Sequence, residues 1–493
     1  MTPLVQLLAQ AEIPEPIQAP SIAYRALSPM LIVFAAALVG VLVEAFTPAR
    51  RRRAIQLPLA LVSLLGALVA TVALAGEHRV VAAGAVAVDG PTLFLQGSIL
   101  AVAVASVLLL SELQTEAYPL VLFAVGGMML FPASTNLLTM FVALEVLSLP
   151  LYLLSGIARR RKLLGQEAAL KYFLLGAFSS AFFLYGIALI YGYAGTVSLS
   201  GIADATAVVG KNDALLYAGL ALLGVGLLFK LGAVPFHSWT PDVYQGAPTP
   251  ITALMAAATK IAAFGALLRV LYAGFGAMRW DWRPAVWAVA LLTMAVGSVV
   301  AVTQTDVKRM LAYSSIAHAG FILVGVAAAT RSGLQGALFY LVAYGFTVLG
   351  AFAVVTLVRD HNGEATHLSQ WAGLGRRSPA VAVTFAVFLF ALAGIPGTSG
   401  FIAKFAVFQA AVAGRATPLV IVGVLTSAVA AFFYARVVVL MFFQPAVADG
   451  PDVVTPSLSV STALGLALAA TVVIGVLPGG LLHLAEQAAL FVR

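Results

Sequence analysis

The amino-acid sequence predicts an all-α integral membrane protein of about fourteen transmembrane helices, and its composition is the first reason. Of the 493 residues, 62% are hydrophobic and 9% are charged, and the mean hydropathy is +1.04. Soluble domains carry roughly 25% charged residues, so the composition excludes that class. The chain has no cysteine, which excludes disulfides, thiolate metal sites and iron–sulfur ligation by this chain.

The second reason is the recurrence of long apolar runs. A helix that crosses a bilayer needs roughly 17–25 predominantly apolar residues. Runs of that kind lie near 27–47, 55–75, 91–111, 117–132, 137–157, 166–193, 214–245, 250–273, 285–303, 309–329, 332–358, 380–411, 417–442 and 458–477. The seventh and twelfth runs are long and interrupted, which predicts broken helices there.

The third reason is the position of the basic residues. The formal net charge is +8, but the charges come in bursts between apolar runs, such as Arg50–Arg53 and Arg159–Lys162. This pattern is typical of the cytoplasmic loops of a membrane protein and does not indicate a nucleic-acid surface. The excess of Lys and Arg in alternate loops predicts that both termini lie on the outer side of a bacterial inner membrane.

Lysine is the basic residue that the apolar runs retain. Four of the seven lysines fall inside predicted helices, whereas the two arginines found there lie near helix ends, where they can reach the surface. A lysine at the bilayer centre costs roughly 2.5–3.5 kcal/mol even on the lenient insertion scale. The lysines are Lys171, Lys230, Lys260 and Lys404, and the arginines are Arg269 and Arg436.

The preference for lysine indicates groups that change protonation state. A lysine removed from water can release its proton, while arginine stays charged and serves only as a fixed counter-ion. Lys260 lies ten residues into its run, at a depth of ~15 Å, since a helix rises 1.5 Å per residue. Lys171 lies close to the end of its run, so both a paired surface lysine and a proton relay remain open for it.

Two further polar residues fall at depth in the apolar runs. Glu145 lies near the middle of the fifth run, and a carboxylate there stays charged only beside a cation such as a lysine. His318 lies ten residues beyond Lys308, at a depth of ~15 Å. A satisfied core histidine and a proton relay are both consistent with His318, and the neighbouring Ser314 favours the relay.

Glycine and proline interrupt two runs, each beside a lysine. The first break contains Gly232 and Pro235 after Lys230, and the second contains Gly394 and Pro396 before Lys404. Proline removes a backbone donor, and the freed carbonyls at membrane depth must find water or protein partners. The breaks therefore predict polar cavities.

The two breaks also mark an internal repeat. Residues 169–178 resemble residues 337–346, an offset close to that between Pro235 and Pro396. The sequence thus predicts three N-terminal helices over 27–111, five-helix units over 117–273 and 285–442, and a C-terminal helix within 458–493, all in one membrane domain. Because five is odd, consecutive units enter the membrane from opposite sides. Inverted repeats with paired broken helices are typical of ion-coupled transport.

At this point the sequence resembles a known family. The residues that carry the resemblance are Glu145, Lys230 before the stretch Gly-Ala-Val-Pro-Phe-His-Ser-Trp-Thr-Pro-Asp-Val-Tyr (232–244), Gly-Ala-Pro-Thr-Pro (246–250) and Lys260. The family is that of the antiporter-like, proton-pumping subunits of NADH-quinone oxidoreductase (complex I), related to multisubunit cation/proton antiporters. Of its three complex I members, one has a lateral C-terminal helix for which this chain is too short, and another has a glutamate where this chain has Lys404.

The resemblance implies the roles of individual residues. Glu145 and Lys230 would be the coupling pair of the first half-channel, Lys260 the central proton carrier and Lys404 the terminal one. Lys171, His237 and His318 would be candidate relays.

The resemblance also implies the setting. The chain would couple NADH-to-quinone electron transfer in other subunits to proton pumping, next to other antiporter-like membrane subunits in the lipid bilayer. It would bind no cofactor or metal itself, since NADH, flavin, iron–sulfur clusters and quinone would be bound by other subunits, and it would bind no nucleic acid.

Two other functions remain open from the residues. A subunit of a multisubunit cation/proton antiporter has a related sequence, but a sodium site favours several oxygen ligands, and the predicted interior offers one clear carboxylate among lysines. A passive scaffold subunit of a respiratory complex leaves the buried lysines unexplained.

Overall fold

The computed structural model describes residues 22–157, 162–208, 214–360, 363–446 and 450–492. Arg159–Arg161, which belong to the second basic burst used above to predict orientation, lie outside the described residues. The helices are α1 Tyr24–Phe46, α2 Ala49–Ala73, α3 Gly90–Leu109, α4 Ala117–Leu130, α5 Leu137–Ser155, α6 Lys162–Ala194, α7 Leu199–Ala207, α8 Ala214–Leu231, α9 Trp239–Gly246, α10 Thr249–Gly274, α11 Arg279–Thr303, α12 Val307–Ala327, α13 Arg331–Val355, α14 Leu374–Arg377, α15 Pro379–Ala393, α16 Ser399–Ala413, α17 Thr417–Phe443, α18 Leu458–Val476 and α19 Gly479–Ala488.

Membrane-spanning helices dominate this fold. Within the described residues, 12 helices are long and apolar enough to cross a membrane. The fourth predicted run is the 14-residue α4, and the twelfth is the pair α15 and α16 of 15 residues each. The prediction of a multi-pass, predominantly helical membrane protein is therefore confirmed.

Short strands close the two ends of the helical bundle. At one end, β1 (Arg79–Val81) and β2 (Val86–Val88) form an antiparallel hairpin. At the other end, β3 (Val358–Asp360) pairs with β4 (Gly363–Glu364) and with β5 (Asp452–Val453). We call these the hairpin end and the sheet end. The apolar periodicity did not predict the strands, since each has only two or three residues.

Polar residues in the loops begin several helices. The carboxylate of Asp306 accepts hydrogen bonds from the backbone amides of Lys308 and Arg309 at the start of α12. The side-chain oxygen of Asn136 accepts from Leu138 and Thr139 at the start of α5. Such caps satisfy amides that have no partner within the helix, so the loop sequence fixes where these helices start.

The central helices are α10, α12 and α13, whose apolar segments are almost completely enclosed by other helices. In contrast, only 28–33% of the residues in the apolar segments of α2, α11, α17 and α18 are buried. Lysine on a central helix is thus surrounded by protein rather than lipid.

The two broken helices end at opposite ends of the bundle. At the hairpin end, Arg283 of α11 donates a hydrogen bond to the carbonyl of Gly414, just after α16. At the sheet end, Lys308 of α12 donates to the carbonyl of Ala247, just after α9, over 2.7 Å. Because α11 and α12 are consecutive helices, their first residues lie at opposite ends of the bundle. The helices that follow the two breaks, α9 and α16, therefore run toward opposite ends.

Candidate functional site

The first helix break separates α8 from α9. Gly232 follows the end of α8 with a φ of +67°, a conformation that glycine adopts without steric cost. Trp239, the first residue of α9, donates its indole N–H to the carbonyl of Phe229 over 2.9 Å. His237 is half-buried in the break, and its buried Nδ1 has no hydrogen-bond partner among the described residues. The backbone N–H of Gly232 also donates to the carbonyl of Phe229, over 3.0 Å, so neutral donors alone satisfy this helix end.

The second break separates α15 from α16 and is satisfied by a charge. Gly394 has a φ of +84° and ends α15. The ammonium group of Lys404 on α16 donates to the carbonyls of Ala393 over 2.8 Å and Leu392 over 3.3 Å, and to the hydroxyl of Ser427 over 2.6 Å. Because the C-terminal end of a helix carries partial negative charge, these carbonyls stabilise a protonated Lys404. Both predicted breaks are confirmed.

Lys230 lies at the end of α8 in an aromatic environment. Its side chain is 4% exposed, and its ammonium group donates to the hydroxyl of Tyr172 over 3.4 Å. The same nitrogen lies 5.0 Å from the ring centroid of Tyr172 and 5.4 Å from that of Tyr152. Aromatic faces stabilise a cation without forming a full ion pair.

Glu145 lies on α5 in the same region but does not touch Lys230. It is half-buried, and its Oε1 atom is buried without a hydrogen-bond partner. The two side chains form no ion pair within 4.0 Å, although their charges interact over the longer distance. The charge of Glu145 also acts on Tyr152, one of the rings beside Lys230. The structure thus brings the predicted coupling pair into one region, without direct contact.

Lys260 lies on the central helix α10 and faces α12. Its side chain is 2% exposed, and its ammonium group donates to the carbonyl of Ser315. The ring of Tyr344 on α13 lies 5.8 Å from the same nitrogen. A π-helical turn, Met255–Thr259, directly precedes the lysine. Such turns free a carbonyl from the α-helical ladder and recur at functional sites.

His318 lies on α12, between the residues that contact Lys260 and Lys404, which are Ser315 and Phe321. It is 3% exposed, and the charges of both Lys260 and Lys404 act on it. Its Nδ1 lies 2.8 Å from the hydroxyl of Tyr340, and its Nε2 lies 3.5 Å from that of Tyr434. The imidazole therefore has a hydroxyl partner at each nitrogen, which suits both a satisfied core histidine and a proton relay.

Lys171 differs from the three other lysines because it is accessible. Its side chain is 42% exposed and pairs with Glu167 over 2.6 Å and Asp242 over 2.7 Å. Asp242 also pairs with Arg309 of α12 over 2.8 Å. Lys171 is therefore part of a half-exposed ion-pair network that joins α6, α9 and α12, rather than a buried cation.

Comparison with known proteins identifies the family. Residues 134–430 match the family NADH:quinone oxidoreductase/Mrp antiporter, TM, which is more than half of the chain. The chain belongs to this family.

Two relatives are similar to this chain over nearly its whole length. NADH-quinone oxidoreductase subunit N of Parafrankia sp. (strain EAN1pec) is 61% identical and covers 99% of both chains. The subunit of the same name from Mycobacterium bovis is 53% identical, with 96% of this chain and 99% of the relative covered.

Solved structures share the fold. A chain of respiratory complex I from Thermus thermophilus is 35% identical, with a TM-score of 0.80 over 93% of this chain and 99% of its own length. A chain of the Mrp complex from Dietzia sp. is 25% identical, with a TM-score of 0.84 over 95% of this chain and 97% of its own length.

The sequence did not predict the most deeply buried ion pair of this family member. Arg269 of α10 pairs with Asp89, just before α3, over 2.7 Å, and neither side chain is exposed. The expectation that Arg269 reaches the surface is wrong, and Glu145 is not the most deeply buried carboxylate. Asp89 precedes Gly90-Pro91, a helix-start signal that identifies a cap but not a partner 180 residues away.

The tyrosines around the buried lysines were also missed. Tyr340 and Tyr344 are one helical turn apart on α13 and both face His318, with ring centroids at 5.9 Å and 4.9 Å from its own. A spacing of four residues on a predicted helix is the signal that would have placed them on one face.

The described residues contain no group of three or more His, Asp or Glu side chains able to hold a metal ion. The groups that surround the buried lysines in this part of the chain are tyrosines, His318, hydroxyls and backbone carbonyls.

Proposed function

We propose that this chain is the subunit N of a bacterial NADH-quinone oxidoreductase and that it translocates protons across the inner membrane. The observation that carries the proposal is the series of enclosed proton-binding groups across the bundle: Lys230, Lys260, His318 and Lys404. Their burial would be costly without a function, because each lysine at bilayer depth costs roughly 2.5–3.5 kcal/mol. The full-length similarity to relatives named subunit N agrees with this series.

Within this proposal, the chain crosses the membrane fourteen times. Two five-helix units over 117–273 and 285–442 are inverted relative to each other, with three helices over 27–111 before them and the segment 458–493 after them. The opposite directions of α9 and α16 support the inversion. The sheet end faces the cytoplasm, since Arg50–Arg53 lie there, and both termini lie on the outer side.

The groups along α12 provide the proposed route for a proton. Lys260 bonds to the carbonyl of Ser315, one turn before His318, and the ammonium nitrogen of Lys404 lies 4.7 Å from the ring centroid of Phe321, one turn after it. With hydroxyl partners at both nitrogens, the imidazole of His318 would relay a proton between the two lysines.

The first half provides the electrostatic control. Two unit charges at ~4 Å interact by about 4 kcal/mol at an effective dielectric constant of 20. Moving one proton against ~180 mV costs about 4 kcal/mol. Because Glu145 and Lys230 are apart in this structure, closing and opening their contact supplies a free-energy change of the required size. Lys171 and His237 would pass protons to this pair from the sheet end and from the break.

Electron transfer takes place in partner subunits under this proposal. NADH, flavin, iron–sulfur clusters and quinone are bound elsewhere in the complex, and this chain contacts neighbouring antiporter-like subunits and lipid. The Mrp-like alternative has a specific observation in its favour, the TM-score of 0.84. The identity of 25% to that chain, against 61% to a named subunit N, favours complex I.

The test is to purify the chain from its native membrane, identify the proteins that co-purify and reconstitute the complex in vesicles. We expect NADH oxidation to acidify the vesicle lumen, and Lys260→Gln to abolish this chain's share of the proton transfer while the complex assembles. Co-purification with cation/proton antiporter subunits alone would contradict the proposal, and so would unchanged pumping in Lys260→Gln.

A further inference from the structure

The buried ion pair Asp89–Arg269 lies at the hairpin end. Arg269 is on α10, the same helix as Lys260, nine residues further along the chain. Arg269 donates from Nε to the carbonyl of Pro132 over 2.5 Å and from Nη2 to Thr92 over 2.6 Å, besides its bond to Asp89. It thereby connects α10 to the start of α3 and to the turn after α4. Three separate chain segments meet at one guanidinium group.

The segment 490–492 covers this pair. The backbone N–H of Val492 donates to Oδ2 of Asp89 over 3.0 Å, and the ring of Phe491 lies 4.8 Å from the guanidinium carbon of Arg269. Both charges are fully enclosed as a result. A charge pair shielded from water is rigid, because separating it would leave two unpaired charges in an apolar environment.

The same face of α10 packs unusually closely. Gly265 is one turn before Arg269, and a Cβ atom placed there would lie 2.6 Å from the Cβ of Pro132. Only glycine allows this approach, so the contact between α10 and the turn at Pro132 is specified by Gly265 as well as by Arg269.

Two π-helical turns enclose the segment Lys260–Arg269, at Met255–Thr259 and at Val270–Gly274. At a π turn the backbone hydrogen bonds widen from i→i−4 to i→i−5, so each turn changes the rotational register of the helix that follows it. Side-chain contacts on the segment between the two turns hold that register.

The side-chain contacts of Lys260 and Arg269 lie on opposite faces of this segment of α10. Lys260 and Arg269 are nine residues apart, which is about two and a half turns, so their side chains point in opposite directions. Lys260 bonds to Ser315 on α12, and Arg269 bonds to Asp89 on the other side. Rotation of the segment by one residue, ~100°, would move Lys260 away from Ser315 and His318.

We infer that Arg269, locked by Asp89 and covered by Phe491 and Val492, is a positioning residue that fixes the rotation of α10 and so holds Lys260 facing α12. The inference rests on the proposed role of Lys260 as a proton carrier.

The experiment uses the assembled complex with the double variant Asp89→Asn/Arg269→Met, which removes both charges and strands neither. We expect this subunit's share of the protons translocated per electron to fall by about half or more, since small misplacements of a reacting group have large effects on rate. We also expect faster hydrogen–deuterium exchange within residues 255–274. The matched control is Glu44→Gln/Arg52→Met, which removes another ion pair, of 2.8 Å, between α1 and α2; it should change neither quantity.

Where Lys260→Gln lowers proton translocation, a normal proton-to-electron ratio in the assembled double variant would overturn the inference, whatever the exchange rates. If the double variant does not assemble, Gly265→Ala decides by the same two measurements. It pushes α10 away from Pro132 without altering any charge, and Gly224→Ala, where a Cβ meets nothing within 4 Å, is its control.

Lys260→Gln is measured in parallel. Normal pumping in that variant refutes the carrier role of Lys260, while the exchange of residues 255–274 in the double variant still reports whether Arg269 anchors α10. The failure of the proposed function and the failure of this inference are therefore distinguishable.

Discussion

The two helix breaks face the same backbone problem and satisfy it with different donors. In the first break, the carbonyl of Phe229 accepts from two neutral donors, the backbone N–H of Gly232 and the indole of Trp239. Lys230 bonds instead to the hydroxyl of Tyr172 and lies near two aromatic rings. In the second, Lys404 itself takes two freed carbonyls. The comparison shows that a lysine beside a helix break need not bond to the backbone carbonyls of that break. Lys230 is free to respond to Glu145, whereas Lys404 is fixed where it lies.

The largest expected effect is a difference in how strongly substitution of each lysine destabilises the subunit. Lys404→Met should destabilise the subunit by about 2–4 kcal/mol, because it leaves buried carbonyls without a donor. Lys230→Met should cost clearly less, since it removes no bond to the backbone. Both should stop coupled pumping. The measurements are the yield and thermal denaturation of the complex, and equal destabilisation would contradict the comparison.

The next test asks whether Lys230 carries protons or only balances charge. Lys230→Arg keeps the positive charge but cannot release a proton. We expect a normally assembled complex that has lost this subunit's proton transfer, measured in reconstituted vesicles and normalised to the electron-transfer rate.

Lys230→Gln, neutral and close in length, is the companion variant and should lose proton transfer too. Near-normal pumping with arginine would reduce Lys230 to a structural cation.

A smaller effect is expected at the glycines of the second break. A Cβ at Gly394 would lie 3.0 Å from Cδ and 3.2 Å from Nζ of Lys404, whereas one at Gly397 would meet nothing within 4 Å. Both residues have positive φ, so alanine strains the backbone by about 1–3 kcal/mol in either place. Gly394→Ala should therefore slow proton translocation more than the control substitution Gly397→Ala does. Equal rates in the two variants would show that Lys404 tolerates displacement.

The smallest effect concerns the neutral donor of the first break. Trp239→Phe removes the indole N–H, one of two donors to the carbonyl of Phe229. The backbone N–H of Gly232 still donates to that carbonyl over 3.0 Å, so the cost is only about 0.5–1.5 kcal/mol. The ring of Trp239 stacks on Tyr172, with centroids 4.7 Å apart, and phenylalanine retains much of that contact. We expect a modest fall in thermal stability with pumping retained. Abolished pumping would mean that the first break also controls its lysine directly.

The sequence was most informative where local chemistry decides the structure. Apolar runs placed the helices, and glycine and proline located both breaks to within a few residues of Gly232 and Gly394. Burial of Lys230, Lys260 and Lys404 also followed, because a lysine in the middle of a long apolar run has few ways to reach water.

Prediction was weaker where two distant segments had to meet. Whether Arg269 reaches the surface depends on Asp89, which no periodicity relates to it. Glu145 and Lys230 both fell at mid-membrane depth, but depth alone does not decide whether α5 and α8 bring them into contact. Lys171 is accessible because of the face of α6 on which it lies, and the packing of α6 against α5, α8 and α9 determines that face.

The burial of Asp89 by Arg269 and Val492 has a consequence for biogenesis. Asp89 leaves the ribosome 180 residues before Arg269 and 403 residues before Val492, so it enters the membrane region with only its own helix cap for a partner. Until those later segments arrive, the amides and hydroxyl of the first turn of α3 and interfacial water must hold its charge. Burial of this carboxylate is thus a late event of synthesis, and it distinguishes a completed subunit from a nascent or shortened one.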